Sequence, residues 1–192
     1  GLAEVVGRKT GRNPFHIQQL IRMLADDGLL AYDEEAALWR WSIERIAAHR
    51  GADDMAGLLT HELGQLPADT QHALRILACL GDSASTALLA HAADMSETQL
   101  HECLRAAADA GSIQCDGDNW TFRHDRIRET VYAATPESGR PQLHLAIARR
   151  QLTLDRAARD VFALARQCNL AFPVVVDQAE RERFAQLNLA AG

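Results

Sequence analysis

The residues best suited to chemistry lie where a predicted strand runs into a predicted helix. Trp120 and Phe122 alternate onto one face of a short strand, and a helix follows from Asp125. His124 stands at the junction, and the Asp125 side chain is placed to cap the helix. An imidazole at a helix start can hold an anion, because the first-turn N–H groups and the helix dipole favour negative charge. It can equally be a structural residue that packs against or caps the helix.

Other arrangements that could support catalysis or metal binding fail on spacing. His61-Glu62 resembles the start of a zinc-protease motif, but Gln65 occupies the position of the second histidine. The histidines are scattered, and we expect most of them at exposed helical positions, so no metal site is predicted. The serines that could act as nucleophiles lie at element ends, where capping explains them: Ser83, Ser96 and Ser112. No phosphate loop precedes a lysine, so we predict no enzymatic activity and no independent nucleotide binding.

Composition favours a mainly helical cytoplasmic protein. The 192 residues are rich in alanine and leucine, carry a net charge of −6 and contain no membrane-length apolar run or signal peptide. The negative charge argues against nucleic-acid or membrane partners. The cysteines show no CxxC spacing, and the first three fall on apolar faces, which predicts core residues in a reducing compartment: Cys79, Cys103, Cys115 and Cys168.

Residues 1–66 are predicted to form helices around a small hairpin. A helix ends at Thr10 before Gly11, and Asn13-Pro14 provides a cap and a first helical residue for the next helix. Strands at residues 29–32 and 38–41 should pair as a hairpin. Two further helices then run to Pro67.

Residues 67–135 predict a winged helix: three helices, a β-ribbon and a closing helix. The third helix opens with the capping box Ser96 to Gln99. This segment has ten acidic residues against five arginines, and Glu97, Glu102 and Asp109 lie on the helix that would enter the major groove. Phosphate neutralisation dominates DNA affinity, so a DNA-binding regulator is the least favoured interpretation.

Residues 136–192 predict successive antiparallel helices, as at the beginning of a helical solenoid. Leu143 and Ile147 lie on one face of the first helix, whose regular part should begin near Pro141. Phe184, Leu187 and Leu189 are the apolar residues of the last helix.

Several motifs of the chain, taken in order, resemble a known protein family. They are Lys9-Thr10-Gly11-Arg12-Asn13-Pro14-Phe15, Trp39-Arg40-Trp41, Leu66-Pro67, Phe122-Arg123-His124-Asp125-Arg126-Ile127, Leu143-His144-Leu145-Ala146-Ile147 and Leu187-Asn188-Leu189-Ala190-Ala191-Gly192. This order resembles the back half of the AAA-type ATPase module of STAND signalling proteins. The most similar members are large bacterial proteins that join a serine/threonine-kinase-like domain, this ATPase and often a sensor histidine kinase.

The resemblance implies a fold, a cofactor and a set of contacts. Residues 1–66 would be the end of a helical lid, residues 67–135 a winged helix and residues 136–192 the start of a TPR-like solenoid. The nucleotide-binding core would lie upstream of Gly1, and ADP or ATP would bind only together with it. Gly11 and Pro14 would pack against adenine, while His124 and Asp125 would match a Met-His-Asp-like motif whose histidine reaches the β-phosphate of ADP.

Two departures qualify these assignments. Arg123 replaces the motif's methionine, and two residues instead of one separate Gly11 from Pro14. The resemblance therefore predicts a non-catalytic regulatory segment whose partners are the nucleotide-binding and signalling domains of the same polypeptide. The alternative is a protein-interaction module, formed by the winged helix and the helical repeats, that has no role for nucleotide.

Overall fold

The computed structural model describes residues 1–12, 14–49, 55–155 and 160–191. These residues form eleven α-helices and five short β-strands, so the predicted mainly helical fold class is confirmed. The chain divides into two compact units, Gly1–His61 and Glu62–Gly192. The finer division at residues 67 and 136 stays a prediction. None of the described helices combines the length and apolar character that a bilayer crossing requires.

The first unit packs three helices with a two-stranded hairpin, and a fourth helix begins in it. Its elements are α1 (Leu2–Lys9), α2 (Pro14–Asp26), β1 (Leu30–Asp33), β2 (Leu38–Trp41), α3 (Ile43–Ala48) and α4 (Met55–Gln65). Leu20, Leu24 and Ile46 are fully buried at its centre. Ser42 caps α3, since its side chain accepts a hydrogen bond from the Arg45 N–H at 3.3 Å. Asn13, the predicted cap of α2, lies outside the described residues.

The predicted hairpin is present, and its two strands expose aromatic side chains. Tyr32 pairs with Trp39 across the antiparallel ladder, and their ring centroids lie 5.4 Å apart. Tyr32, Trp39 and Trp41 are 51%, 52% and 45% exposed. Tyr32 and Trp39 therefore contact each other across the ladder, and all three aromatic rings remain accessible to solvent.

The second unit contains seven helices and a three-stranded antiparallel sheet, described in order along the chain. After α4 come α5 (Ala68–Leu80), β3 (Ser83–Ser85), α6 (Thr86–Ala93), α7 (Glu97–Asp109), β4 (Ile113–Asp116), β5 (Asn119–Phe122), α8 (Asp125–Ala133), α9 (Arg140–Gln151), α10 (Val161–Ala171) and α11 (Gln178–Ala191). The sheet order is β3-β5-β4. The predicted three helices, β-ribbon and closing helix all form within residues 67–135.

Strand β3 was not predicted, because Ser83-Ala84-Ser85 contains no residue that favours a strand. Its conformation follows from tertiary pairing instead: Ala84 lies opposite Trp120 in β5, and the Phe122 N–H donates to the Asp82 carbonyl at 3.2 Å. Strand β5 is thus paired on both sides. This fixes the chain that leads directly into α8.

The apolar pattern of the helices in residues 67–135 matches their packing. The capping box at the start of α7 is present, with the Ser96 side chain accepting from the Gln99 N–H and Gln99 returning to the Ser96 N–H at 2.9 Å. Apolar side chains from these helices and from β4 are buried. The fully buried ones include Leu74, Leu77, Leu89, Leu100, Leu104, Ile113 and Ile127.

Helices α9, α10 and α11 follow one another and bury a core of their own. Its fully buried members are Ala148, Leu164, Cys168, Ala171, Val175 and Phe184. Helix α9 begins at Arg140, close to the predicted start near Pro141. Leu187 packs against this core, but Leu189 is 81% exposed. The three expected apolar positions of α11 therefore do not share one buried face.

Candidate functional site

His124 occupies the junction between β5 and α8, as the sequence predicted. Its backbone is extended, with φ −147° and ψ 139°, and its carbonyl accepts the Ile127 N–H at 3.0 Å, which starts the helix. The preceding residue is anchored because the Arg123 N–H donates to the Ser112 carbonyl at 3.2 Å. The His124 side chain is exposed. Trp120 is buried below and lies against His101, with ring centroids 5.3 Å apart, so it does not cover His124.

The predicted capping role of Asp125 is wrong. Helix α8 begins at Asp125, and His124 occupies the N-cap position without a side-chain hydrogen bond to the helix. Asp125 is therefore the first helical residue, where its carboxylate interacts favourably with the helix dipole rather than accepting a capping bond. No side-chain cap satisfies the N–H groups that precede the Ile127 N–H in the first turn.

Arginines surround the start of α8. Arg123 and Arg126 are exposed beside His124. Arg128 is largely buried, and its Nε lies 2.7 Å from the Asp82 Oδ1. The Nε–H bond of the Arg128 side chain does not point at that oxygen, so the contact is an ion pair without a directed hydrogen bond. Arg123, Arg126 and the first-turn N–H groups favour an anion at this junction, whereas the exposed Asp125 carboxylate opposes one and Arg128 is already paired with Asp82.

Gly11 and Pro14, the predicted adenine contacts, lie at the turn between α1 and α2. Gly11 has φ +59° and Arg12 has φ +61°, and both residues are exposed. A Cβ at Gly11 would meet no atom within 4 Å. Glycine is therefore favoured here by backbone conformation and not by a close approach. Pro14 is the exposed first residue of α2.

The four predicted site residues are divided between the two units. Gly11 and Pro14 belong to the first unit, while His124 and Asp125 belong to the second. Neither unit holds all four, and their role toward a nucleotide stays a prediction. Within the described part of the chain, no group of three histidine, cysteine, aspartate or glutamate side chains lies close enough to hold a metal ion.

A buried polar network that the sequence did not predict lies between α5, α8, α9 and α10. His144 is 1% exposed, although most histidines were expected at exposed positions. Its Nδ1 lies 2.6 Å from the Gln167 Oε1, and its Nε2 lies 3.1 Å from the Tyr132 hydroxyl. The Gln167 Nε2 then donates to the Cys79 carbonyl at 2.8 Å. Both imidazole nitrogens are thus hydrogen-bonded, as a buried polar group requires.

The charge state of His144 follows from this environment. Burial lowers the pKa of His144, and the nearby guanidinium groups of Arg166 and Arg140 lower it further, although the Gln167 hydrogen bond opposes them. His144 is therefore neutral at pH 7. The sequence carries no local sign of this role, because leucines flank His144 and its partner Gln167 is 23 positions away.

A second set of polar contacts joins α6 to the end of α9. The His91 Nε2 lies 2.8 Å from the Arg150 carbonyl and 3.0 Å from the Thr153 hydroxyl. Arg150 also pairs with Asp94, with 2.6 Å between Nη1 and Oδ1, which lowers the pKa of that carboxyl. Helices α5, α6 and α8 are therefore tied to α9 and α10 at two places, across the predicted boundary at residues 135 and 136.

The cysteines differ from their predicted core positions in two cases. Cys115 is exposed on β4, although it shares a face of the strand with the buried Ile113, and Cys103 is only partly buried on α7. Cys79 and Cys168 are buried, and burial raises the pKa of each thiol to about 11. These two thiols are protonated at neutral pH and therefore poor nucleophiles.

Comparison with known proteins yields one distant similarity. The chain is 31% identical over 108 residues to hybrid signal transduction histidine kinase G of Dictyostelium discoideum. The matched region covers 56% of this chain but 3% of that protein. No protein-family model matches the chain, and no solved structure does.

Proposed function

We propose that this chain is a regulatory, non-catalytic segment of a signal-transduction protein of the STAND ATPase type. In this proposal residues 1–66 are the end of a helical lid, residues 67–135 a winged helix and residues 136–192 the start of a TPR-like solenoid. The element order supports the winged helix, because β3 joins the β4–β5 ribbon and α8 closes the unit. The similarity to a signal-transduction histidine kinase supports a signalling role.

The observation that carries the proposal is the exposed His124 at the start of α8. A sheet with β5 at its centre anchors this residue, and arginines and first-turn N–H groups surround it. A β-phosphate of ADP would find both charge and hydrogen-bond donors there. Asp125 would take part in the nucleotide site as the residue next to His124. Gly11 and Pro14 would contact adenine from the lid.

Exchange of ADP for ATP would act on this contact. ADP would hold the winged helix against a nucleotide-binding core that precedes Gly1 in the same polypeptide, and ATP would release it. Such a ligand shifts the balance between two packings through its different affinity for each. Signalling domains of the same polypeptide would be the partners that respond.

Retention of ADP by the full-length parent protein tests this proposal. We expect His124→Ala to weaken ADP binding by about ten- to a hundredfold, corresponding to the loss of one charge-assisted hydrogen bond. The measurement is the ADP content of the purified protein and its rate of exchange with labelled nucleotide. His101→Ala, which changes another exposed histidine of the same unit, is the matched control. Unchanged ADP retention in His124→Ala would refute the role of this histidine.

An interaction module without nucleotide is the second candidate. The exposed aromatic side chains of the β1–β2 hairpin favour it, since Tyr32, Trp39 and Trp41 offer anchors of the kind that dominate protein interfaces. A parent polypeptide without a phosphate loop before Gly1 would select this candidate over the first.

A DNA-binding role has the least support. Helix α7 exposes Glu97, Glu102 and Asp109 against Arg105, and the ribbon exposes Asp116. This surface would repel phosphates. Titration with duplex DNA at low salt should give no binding, and salt-sensitive binding would contradict the charge argument.

A further inference from the structure

An open groove lies between α8, α10 and α11, with α5 at its floor. It has a volume of about 480 Å³. Ala78 of α5 forms part of the floor, and Tyr132 of α8 and Phe162 of α10 form its walls. Neither His124 nor the hairpin takes part in it. The groove shares Arg128 with the junction at the start of α8 but contains none of the four predicted site residues.

The apolar anchors of the groove lie on one ridge of α10. Phe162 is 71% exposed and Leu170 is 38% exposed, and Arg166 lies between them at i, i+4 and i+8 spacing. The ridge is about 12 Å long, which is a little more than two helical turns. The opposite face of α10, with Leu164 and Cys168, is buried. Helix α10 thus has a second apolar face that no described element covers.

The charge of the groove contrasts with the charge of the chain. Arg128 and Arg166 line it, and no carboxylate is among its described lining residues, although the whole chain carries a net charge of −6. Arg128 contacts Asp82, whose side chain is 75% exposed, so solvent weakens that ion pair. The groove is locally basic on an acidic protein.

Arg166 is held in place at the edge of the groove. Its Nη1 donates to the Cys79 and Leu80 carbonyls at 3.3 and 3.4 Å, near the end of α5. The guanidinium group therefore has a fixed position at little further cost in side-chain entropy. Arg166 thus lies fixed between two exposed apolar side chains. A partner segment with a carboxylate between two apolar residues would complement this arrangement.

We propose that this groove binds an acidic amphipathic α-helix of a partner protein. A helix fits better than an extended segment, because residues 162, 166 and 170 form an i±4 ridge of the kind that packs into the grooves of another helix. Apolar residues on successive turns of the partner would contact Phe162 and Leu170. A glutamate or aspartate between them would pair with Arg166 and Arg128.

Binding of two designed peptides tests the proposal. Both are helical peptides of about 15 residues with the same leucines on one face, and they differ only in carrying glutamate or lysine beside that face. Fluorescence anisotropy with the full 192-residue chain measures their affinities. We expect the glutamate peptide to bind at least about tenfold more tightly than the lysine peptide, with the difference shrinking at high salt.

Substitutions locate the binding surface. Phe162→Ser should weaken binding of the glutamate peptide by about tenfold or more, and Arg166→Glu should reverse the preference between the peptides. Matched controls outside the groove are Leu189→Ser and Arg105→Glu, which should leave both affinities unchanged. Circular dichroism checks that Arg166→Glu, which changes a contact to α5, remains folded. If it does not, Phe162→Ser and Arg128→Gln carry the test.

Three results of the peptide experiments would overturn the proposal. They are equal affinity for the two peptides, no binding by either peptide, and loss of binding in the controls as large as in the groove variants. Preference for single-stranded nucleic acid over the glutamate peptide would also overturn it, because the arginines would then serve phosphates and not carboxylates.

Discussion

His144 is held by groups from two other helices, and its protonation state is therefore coupled to stability. Tyr132 faces it from α8, Gln167 and Arg166 from α10, and Arg140 lies on its own helix with its guanidinium group 4.8 Å from the centre of the Tyr132 ring. A second proton on the imidazole would bring a charge into a buried site beside two cations. The neutral ring is the one the site accepts.

We expect the stability of the protein to decrease as the pH falls below about 6.5, and His144→Gln to reduce this dependence. The pKa of His144 is lowered on folding, so the unfolded chain binds the proton more readily and acid favours unfolding. His144 can change the free energy of unfolding by at most about 1.4 kcal/mol per pH unit. Urea unfolding followed by far-UV circular dichroism between about pH 8 and pH 5 measures it.

His144→Gln should also cost about 1–3 kcal/mol at neutral pH, where the network is intact in the wild type. His101→Gln, which makes the same replacement at an exposed position of α7, is the control. A His144→Gln profile parallel to the wild type would show that this histidine does not titrate on unfolding.

The sequence predicted some features of the candidate site and missed others. His124 was placed correctly at a strand–helix junction, because alternation of Trp120 and Phe122 followed by helical periodicity is a local signal. The cap was assigned to Asp125, one position too late, since sequence patterns fix helix ends only to within a residue or two. The partner of His144 could not be predicted, because a contact between α9 and α10 leaves no local pattern.

At the scale of elements, periodicity and capping residues predicted the helices well, and tertiary pairing decided the rest. Helix α7 follows its capping box, and α2 starts at Pro14 as predicted. Strand β3 depends instead on its pairing with β5, which lies two helices later in the chain. The paired residues nearest in sequence are Ser85 and Asn119.

The end of α1 offers a matched pair of glycine substitutions. Gly11→Ala should destabilise the first unit by about 1–2 kcal/mol, because φ +59° is unfavourable for a residue with a Cβ. Gly7→Ala should instead stabilise it by up to about 1 kcal/mol, since Gly7 is helical and the new Cβ would meet only the Arg12 Cγ at 3.6 Å. Thermal unfolding by circular dichroism compares the two variants. Similar melting temperatures would contradict the assigned turn conformation.

This pair also bears on the proposed adenine contact. A Gly11→Ala protein that bound ADP poorly would not by itself identify Gly11 as a ligand residue, because the substitution strains the turn before Pro14. The Gly7→Ala variant calibrates how much of any loss follows from changes in α1 alone.

At the scale of the whole molecule, the second unit crosses the predicted boundary between winged helix and solenoid without a break in its contacts. The network of His144 joins α9 and α10 to α5 and α8, and His91 with Asp94 joins α6 to the end of α9. A rotation of residues 67–135 would therefore carry α9 and α10 with it. In the proposed signalling mechanism, these helices move as part of the winged-helix body.

Hydrogen exchange tests this cooperativity. We expect the most protected amides of α5, α8, α9 and α10 to open with the same free energy, because the buried network and the shared packing make them one cooperative unit. Gln167→Leu, which removes the link between His144 and the Cys79 carbonyl, should lower protection in all four helices together. Two results would contradict a single cooperative unit. The helices before and after residue 135 could open with different free energies, or Gln167→Leu could lower protection in only one of these two groups.

The placement of the tryptophans gives this chain an internal pair of optical reporters. The sequence has three tryptophans, of which Trp39 and Trp41 are about half exposed on the hairpin and Trp120 is 3% exposed under the sheet. Emission from the hairpin should be red-shifted and readily quenched by acrylamide, whereas Trp120 should emit to the blue and resist quenching. Selective quenching therefore lets one unlabelled sample report on each unit separately, and a Trp120→Phe protein supplies the spectrum of the hairpin alone.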